Sequence, residues 1–281
     1  MTSWNLSLTF LCYIGLARIS GIHSATSLTV VVGGNAALPK QFPMAARLGH
    51  HSSSGNQTKW FCGGTLISHQ VVLTAAHCFY SDVGIVNIVR LGELVFDTEK
   101  DDAEPEDIEV LEIKAHPNFR YPIFYNDIGL VRLRKQVTFG PYKMPACLPS
   151  NGGEQLKSFT AIGWGQQRFD EFEPSKELRE VELQNYNRSC SDTTYPSEDC
   201  PQGYHAESQL CVGSPGHKDT CNGDSGGPLL IAHTGTGCRY QVMGVTSVGL
   251  ACDTPDIPSL YTRVHYFGDW IKAELATTER S

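Results

Sequence analysis

The chain has no excess of positive charge. Its 22 lysines and arginines are outnumbered by 30 aspartates and glutamates, giving a formal net charge of −8. Nucleic acid and anionic membrane are therefore excluded as principal partners, because nothing is left over to neutralise phosphates. Long apolar runs are missing too. The run Leu6–Ala17 is too short to cross a bilayer, and no other segment is apolar for long enough. Helical periodicity is scarce: only Tyr266–Ala276 sets Phe267, Trp270, Ile271 and Leu275 at helical spacing. Internal repeats and low-complexity tracts are absent. With 41% apolar and 19% charged residues, the chain is able to bury a core and is not a disordered tail.

Turn formers and cysteine are plentiful. The 27 glycines and 15 prolines predict many turns, and 10 cysteines point to an oxidising compartment. Small residues Ser20, Gly21, Ser24 and Ala25 follow the first apolar run, so residues 1–24 read as a secretory signal peptide, although no basic residue precedes the run. Its removal near Ser24 takes Cys12 away. Short apolar or alternating runs then recur: Gly64–Ser68, Val71–Thr74, Ile85–Leu91, Ile108–Ala115, Ile128–Leu133, Phe159–Gly163, Pro228–Ile231, Tyr240–Val245 and Ser259–Val264. This spacing predicts an antiparallel barrel or sandwich. Pro, Gly, Asn and Ser concentrate in Pro145–Gly153, which divides the body into two halves. The acidic stretch Glu93–Asp107 reads as a solvated loop, or alternatively as a calcium loop drawing on Glu93 and Glu104. His50 and His51, followed by Ser52–Asn56, read as an exposed flexible loop and not as a metal site.

Three segments carry chemistry: Leu73–Cys78 (LTAAHC), Asn126–Leu130 (NDIGL) and Asp219–Pro228 (DTCNGDSGGP). A serine hydroxyl is a poor nucleophile near neutral pH and needs a base within hydrogen-bond reach. A neutral imidazole has a suitable pKa, and a buried carboxylate fixes its tautomer and stabilises the imidazolium that forms. In their order, His then Asp then Ser, these segments resemble the chymotrypsin-like serine proteases, the trypsin family, and the likeness runs from about Val31 to Leu275. It implies an all-β fold: two antiparallel six-stranded β-barrels, about 31–148 and 149–264, with a closing helix over about 266–276. It also implies a catalytic domain over 31–281 behind a short propeptide, 25–30. Ser225 becomes the nucleophile, His77 the general base and acid, and Asp127 the orienting carboxylate. The N–H groups of Gly223 and Ser225 become the oxyanion hole. No cofactor is required; calcium is the one candidate ion.

The same resemblance makes Asp219 the floor of a pocket for a substrate Arg or Lys. Ser247 would hydrogen-bond Asp127, and Gly249 would present its backbone to an extended substrate. Ser259 stands where the family usually has glycine, and its CH₂OH should narrow the pocket. Val31 would begin the mature enzyme and pair its ammonium with Asp224, yet Thr29–Val30 before it offers no Arg or Lys to a trypsin-like activator. The family bridges correspond to Cys62–Cys78, Cys190–Cys211 and Cys221–Cys252. Of the three cysteines remaining, Cys147–Cys238 is favoured, closing a loop of about 90 residues for roughly 4–5 kcal/mol in the chain-entropy picture. Cys200 is then free or bonded to another chain, in an exposed loop; the rival pairing is Cys200–Cys238. In multi-domain relatives the position of Cys147 ties the catalytic domain to a propeptide cysteine.

PACLP, KDTCNGDSGGP and GVTSVG, with Ile231 where digestive trypsins carry cysteine, resemble arthropod proteases of the snake and easter type, without their clip domain. The resemblance implies a secreted endopeptidase of an extracellular cascade, acting on protein substrates and met by a serpin-type inhibitor. The alternatives are a digestive protease and a non-catalytic homologue that binds. Asn56 and Asn187, each in an Asn-x-Ser/Thr sequence, are candidate glycan sites.

Overall fold

The structure, a computed structural model, describes residues 34–52, 57–166, 173–186, 190, 197–216, 219–249 and 257–278. The expected signal peptide, the propeptide, Val31, Asn56, Asn187 and Cys252 lie outside these residues. The chain enters through β1 (Asn35–Ala36). It then builds a first barrel from β2 (Ala45–Ser52), β3 (Gln57–Leu66), β4 (Val71–Thr74), β5 (Ile88–Leu91), β6 (Glu106–Ala115) and β7 (Gly129–Leu133). The second barrel follows: β8 (Ser158–Gly163), β9 (Arg179–Asn185), β10 (Gln209–Gly213), β11 (Pro228–Ala232), β12 (Tyr240–Val248) and β13 (Ser259–Arg263). The first closes in the order β2-β3-β4-β7-β6-β5, and the second in the order β8-β9-β10-β13-β12-β11, with β1 added at β9. The strand pairs of both barrels are antiparallel.

Alternation drives this closure, since successive side chains of a strand face opposite sides and one side of each strand fills the barrel. In β5, Val89 and Leu91 are buried while Ile88 and Arg90 are less so; in β9, Arg179, Val181 and Leu183 point in and Glu180, Glu182 and Gln184 point out. Leu48, Leu66, Leu73, Val89, Ile108 and Val131 fill the first barrel. Phe159, Val181, Leu183, Leu210, Leu229, Met243 and Tyr261 fill the second. After a 3₁₀ turn (Val264–Phe267), α1 (Gly268–Thr278) leans back on barrel one. Ile271 enters that core, His116 lies edge-on to Phe267 and Trp270, and Lys114 pairs with Glu274 at 2.6 Å. The helix thus ties the C-terminal half to the N-terminal one.

Two sequence expectations are corrected. His50, His51 and Ser52 are not loop: they end β2, paired with Lys59, Thr58 and Gln57, and His51 Nδ1 lies 2.9 Å from Thr58 Oγ1. The strand persists because the β2–β3 ladder gives each polar residue a backbone partner. Cys200 is not exposed. It is 1% accessible and packs with Tyr204, Cys211 and Leu260.

Candidate active site

The two barrels meet at the segments singled out by sequence. A 3₁₀ turn (Ala76–Tyr80) directly after β4 carries His77, and Asp127 stands just before β7, the partner of β4. That pairing brings the two together. Asp127 is fully buried; its Oδ1 accepts the His77 backbone N–H at 2.8 Å and its Oδ2 meets Nδ1 at 2.7 Å. Ser247 Oγ donates to the same Oδ2 at 2.5 Å, and Thr262 Oγ1 donates to the Asp127 carbonyl at 2.7 Å. Barrel two therefore holds a carboxylate that barrel one supplies. Burial alone would lower the His77 pKa, but the Asp127 charge and hydrogen bond outweigh it and the net direction is up.

Ser225 lies on the loop entering β11. Its carbonyl accepts Gly63 N–H at 2.7 Å, across the barrel interface. Cys78 Sγ lies 3.7 Å from that carbonyl and 3.9 Å from His77 Nε2, so the imidazole and the nucleophile segment meet beside the Cys62–Cys78 bridge. A direct Ser225 Oγ–His77 bond is not among the contacts of the described residues; the bonds of His77 run to Asp127. Such bonds often tighten only when substrate binds. Gly226 cannot be replaced cheaply: its φ is +78°, and a Cβ would strike Thr74 Oγ1 and come within 2.7 Å of Gly63 O.

Asp219 is 3% exposed and, among the described residues, has no cationic partner. Its Oδ1 accepts Thr220 N–H at 2.8 Å, and Ser259 Oγ lies 3.1 Å from both carboxylate oxygens. Burial, partly offset by the Ser259 and Thr220 hydrogen bonds, pushes its pKa up to about 7. Gly249 stands opposite, since a Cβ on it would come within 2.9 Å of Ser259 Oγ. Asp224 is 1% exposed and accepts Gly165 N–H at 2.7 Å and Cys221 N–H at 3.0 Å; burial raises its pKa too.

Sequence reasoning missed Thr262 and Arg47. Arg47, 2% exposed on β2, donates to the Gly223 carbonyl at 2.7 Å. The available signal was a lone basic residue inside the apolar run Met44–Leu48. Two clusters with metal-ligand spacing occur among the described residues, Cys62/His77/Cys78 and Cys147/His233/Cys238, but their sulfurs are joined as disulfides and offer no thiolate. Cys190–Cys211 is also formed. Cys221 is disulfide-bonded as well, and Cys252, its expected partner, lies outside the described residues. In the acidic run, Glu93 accepts from Leu94 N–H and Arg90, Arg90 also grips Asp107 with two bonds at 2.6 and 2.8 Å, and Lys135 and Lys143 hold Glu106. Glu104 is exposed, and its backbone N–H meets Gly92 O. These carboxylates fit a guanidinium and two ammonium groups better than a hard cation that needs open oxygens.

A family profile described as Trypsin matches residues 31–271. Over 258 residues the chain is 37% identical to the serine protease snk of Drosophila melanogaster, covering 90% of this chain and 58% of that protein. It is 32% identical to phenoloxidase-activating factor 1 of Holotrichia diomphalia, covering 87% and 70% respectively. It is also 32% identical to the proclotting enzyme of Tachypleus tridentatus, covering 91% and 68%. The chain thus spans less than two thirds of snk.

Proposed function

We propose, from the premise that this chain belongs to the trypsin family of serine proteases, that it is a secreted endopeptidase cleaving after Arg or Lys in an extracellular cascade. The observation that carries the specificity is Asp219, a buried carboxylate with hydrogen-bond donors around it and no cation among the described residues. A substrate guanidinium or ammonium would supply the missing charge. Ser259 occupies the end of that pocket, so a long basic side chain must share Asp219 with its hydroxyl.

In this reading His77 takes the Ser225 proton as the hydroxyl attacks the scissile carbonyl, then returns it to the leaving amine. Asp127, fixed by Ser247 and Thr262, holds Nδ1–H so that Nε2 faces the nucleophile. The N–H groups of Gly223 and Ser225 receive the oxyanion, and Gly249 offers its backbone to an extended peptide. The ammonium of Val31, freed by cleavage, pairs with Asp224; the buried carboxylate there favours such a partner. The segment before Val31 implies an activator that does not require a basic residue. Glycans on Asn56 and Asn187 accord with passage through a secretory compartment. The printed names of the relatives, one an activating factor for phenoloxidase and one a proclotting enzyme, support a cascade and protein substrates; such a cascade is held in check by a serpin-type inhibitor. The acidic run is read as neutralised internally, with no calcium.

The test is amidolysis and an unbiased peptide-cleavage profile with protein that begins at Val31. Hydrolysis of Arg- and Lys-anilides is expected. Asp219→Ser should lose about 3–5 kcal/mol of transition-state binding on basic substrates, or ~10²–10⁴-fold in kcat/KM. A profile dominated by Phe or Leu refutes the pocket assignment, and no turnover at all refutes the enzyme in favour of a binding homologue.

A further inference from the structure

The loop that would receive the oxyanion depends on a glycine, and glycine is the residue least able to hold its own peptide planes. Gly223 has φ +94°, and a Cβ there would sit 3.3 Å from Gly165 Cα and 3.4 Å from Arg47 Nη2, so the position is both strained for other residues and enclosed. Two peptide planes flank it. The first, which contains the Gly223 N–H, is held by its carbonyl: Gln166 N–H donates to Asn222 O at 2.8 Å. The second, Gly223–Asp224, is held at both ends, with Asp224 N–H on Cys221 O at 2.9 Å and Arg47 Nη1 on Gly223 O at 2.7 Å.

We propose that Arg47 is a positioning residue for the oxyanion hole: by clamping the Gly223 carbonyl from barrel one, it keeps the Gly223 N–H aimed into the cleft. Three observations support this role. Burying a guanidinium is costly without compensation, and Arg47 is 2% exposed on a strand whose neighbours Ala46 and Leu48 are apolar. Among the described residues its Nε has no hydrogen-bond partner, whereas buried Arg263 binds Gln209 O, Gly152 O and Glu154; the Arg47 hydrogen bond goes to the loop. Finally, burial pulls its pKa down to about 10 against the opposing charge of Asp224, the residue that follows Gly223. The cation therefore faces the loop at two successive residues, through a hydrogen bond to one and through charge to the next. The Gly63 N–H on Ser225 O already joins the barrels beside Ser225; Arg47 joins them at Gly223.

The inference rests on the protease reading above, and its test separates the two. With protein beginning at Val31, Arg47→Met and Arg47→Lys are compared with the wild type on an Arg-anilide, an arginine aldehyde and benzamidine. The aldehyde forms an oxyanion on Ser225, whereas benzamidine fills only the pocket. Arg47→Met is expected to lower kcat by about 10–10²-fold, toward the ~10²–10³ cost of losing a hole donor outright. Aldehyde affinity should fall in parallel, while KM and benzamidine affinity stay within about two-fold. Arg47→Lys, which keeps the charge on a single-pronged donor, should recover part of the loss. A wild-type kcat in Arg47→Met overturns the proposal. So does an equal loss of benzamidine and aldehyde affinity, which marks a mere structural brace. If the Met variant does not fold, an unchanged aldehyde-to-benzamidine ratio in Arg47→Lys overturns it. Fluorophosphonate labelling of Ser225 needs the hole but no basic side chain. A wild type that labels yet ignores Arg substrates refutes the specificity reading alone, and Arg47→Met labelling at the wild-type rate then refutes this one.

Discussion

Asp219 sits where water is withheld and, among the described residues, no cation is supplied, and its pKa near 7 follows from that first. A carboxyl raised in the folded state favours the protonated fold. Folding stability contributed by this group is thus present at acid pH and falls as pH climbs from the usual carboxylate range toward about 7. A bound cation reverses the sign, because it favours the ionised form. Benzamidine affinity is therefore expected to rise from pH 5 to 8 and then level off, with proton release near pH 6 that vanishes in Asp219→Ser; titration calorimetry in buffers of different ionisation enthalpy reads this directly. A flat affinity over that range contradicts the raised pKa. At this scale the sequence singled out His77, Asp127 and Ser225 and, through the resemblance, the Ser247 bond to Asp127, but not the other groups that hold them. His77, Asp127 and Ser225 belong to motifs that carry their own context. The Ser259 hydroxyl spanning both Asp219 oxygens, the Thr262 bond to the Asp127 carbonyl and the Arg47 clamp join residues 40, 135 and 176 positions apart. No local pattern encodes such distances.

Among the elements, strands with uniform or alternating apolar residues were legible: Val71–Thr74 is β4 as read, and Phe159–Gly163 is β8 short of its first residue. β2 and β9 escaped because each turns an arginine inward, Arg47 and Arg179, which breaks the apolar alternation on which strand reading relies. β10 carries Cys211 and a terminal glycine in a run too short to stand out. The closing helix starts two residues later than expected, after a 3₁₀ turn takes up Val264–Phe267. Between β5 and β6, charge rather than apolarity organises the acidic run. Arg90 lies over the rings of Trp60 and Phe96 while binding Glu93 and Asp107. Removing it leaves the largely buried Glu93 without its cation. Arg90→Ala is expected to cost about 1–3 kcal/mol by chemical denaturation, whereas excess EDTA should change neither the melting temperature nor the rate. A fall in melting temperature with chelator, restored by calcium, would return the loop to an ion.

Across the whole molecule, the cysteine arrangement decides what the protein is able to join. Cys200, buried beside Tyr204 with its thiol pushed up to about 11 by burial, has neither the exposure nor the thiolate needed for exchange. Protein cut before Val31 is therefore expected to run at the monomer mass without reductant and to yield no covalently linked second chain. A doubled band lost in Cys200→Ser, or a leader peptide released only by reductant, contradicts this. Cys147 matters most here. It lies on the connection between barrels, exchanges backbone hydrogen bonds with Tyr240 and Val242 of β12, and is bonded to Cys238 at the neighbouring hairpin. A sulfur satisfied within its own barrel has none to spare for an upstream anchor. On the proposed activation, cutting before Val31 would then be a parting and not a nick: no covalent tie through Cys147 would hold the cut body to whatever preceded it.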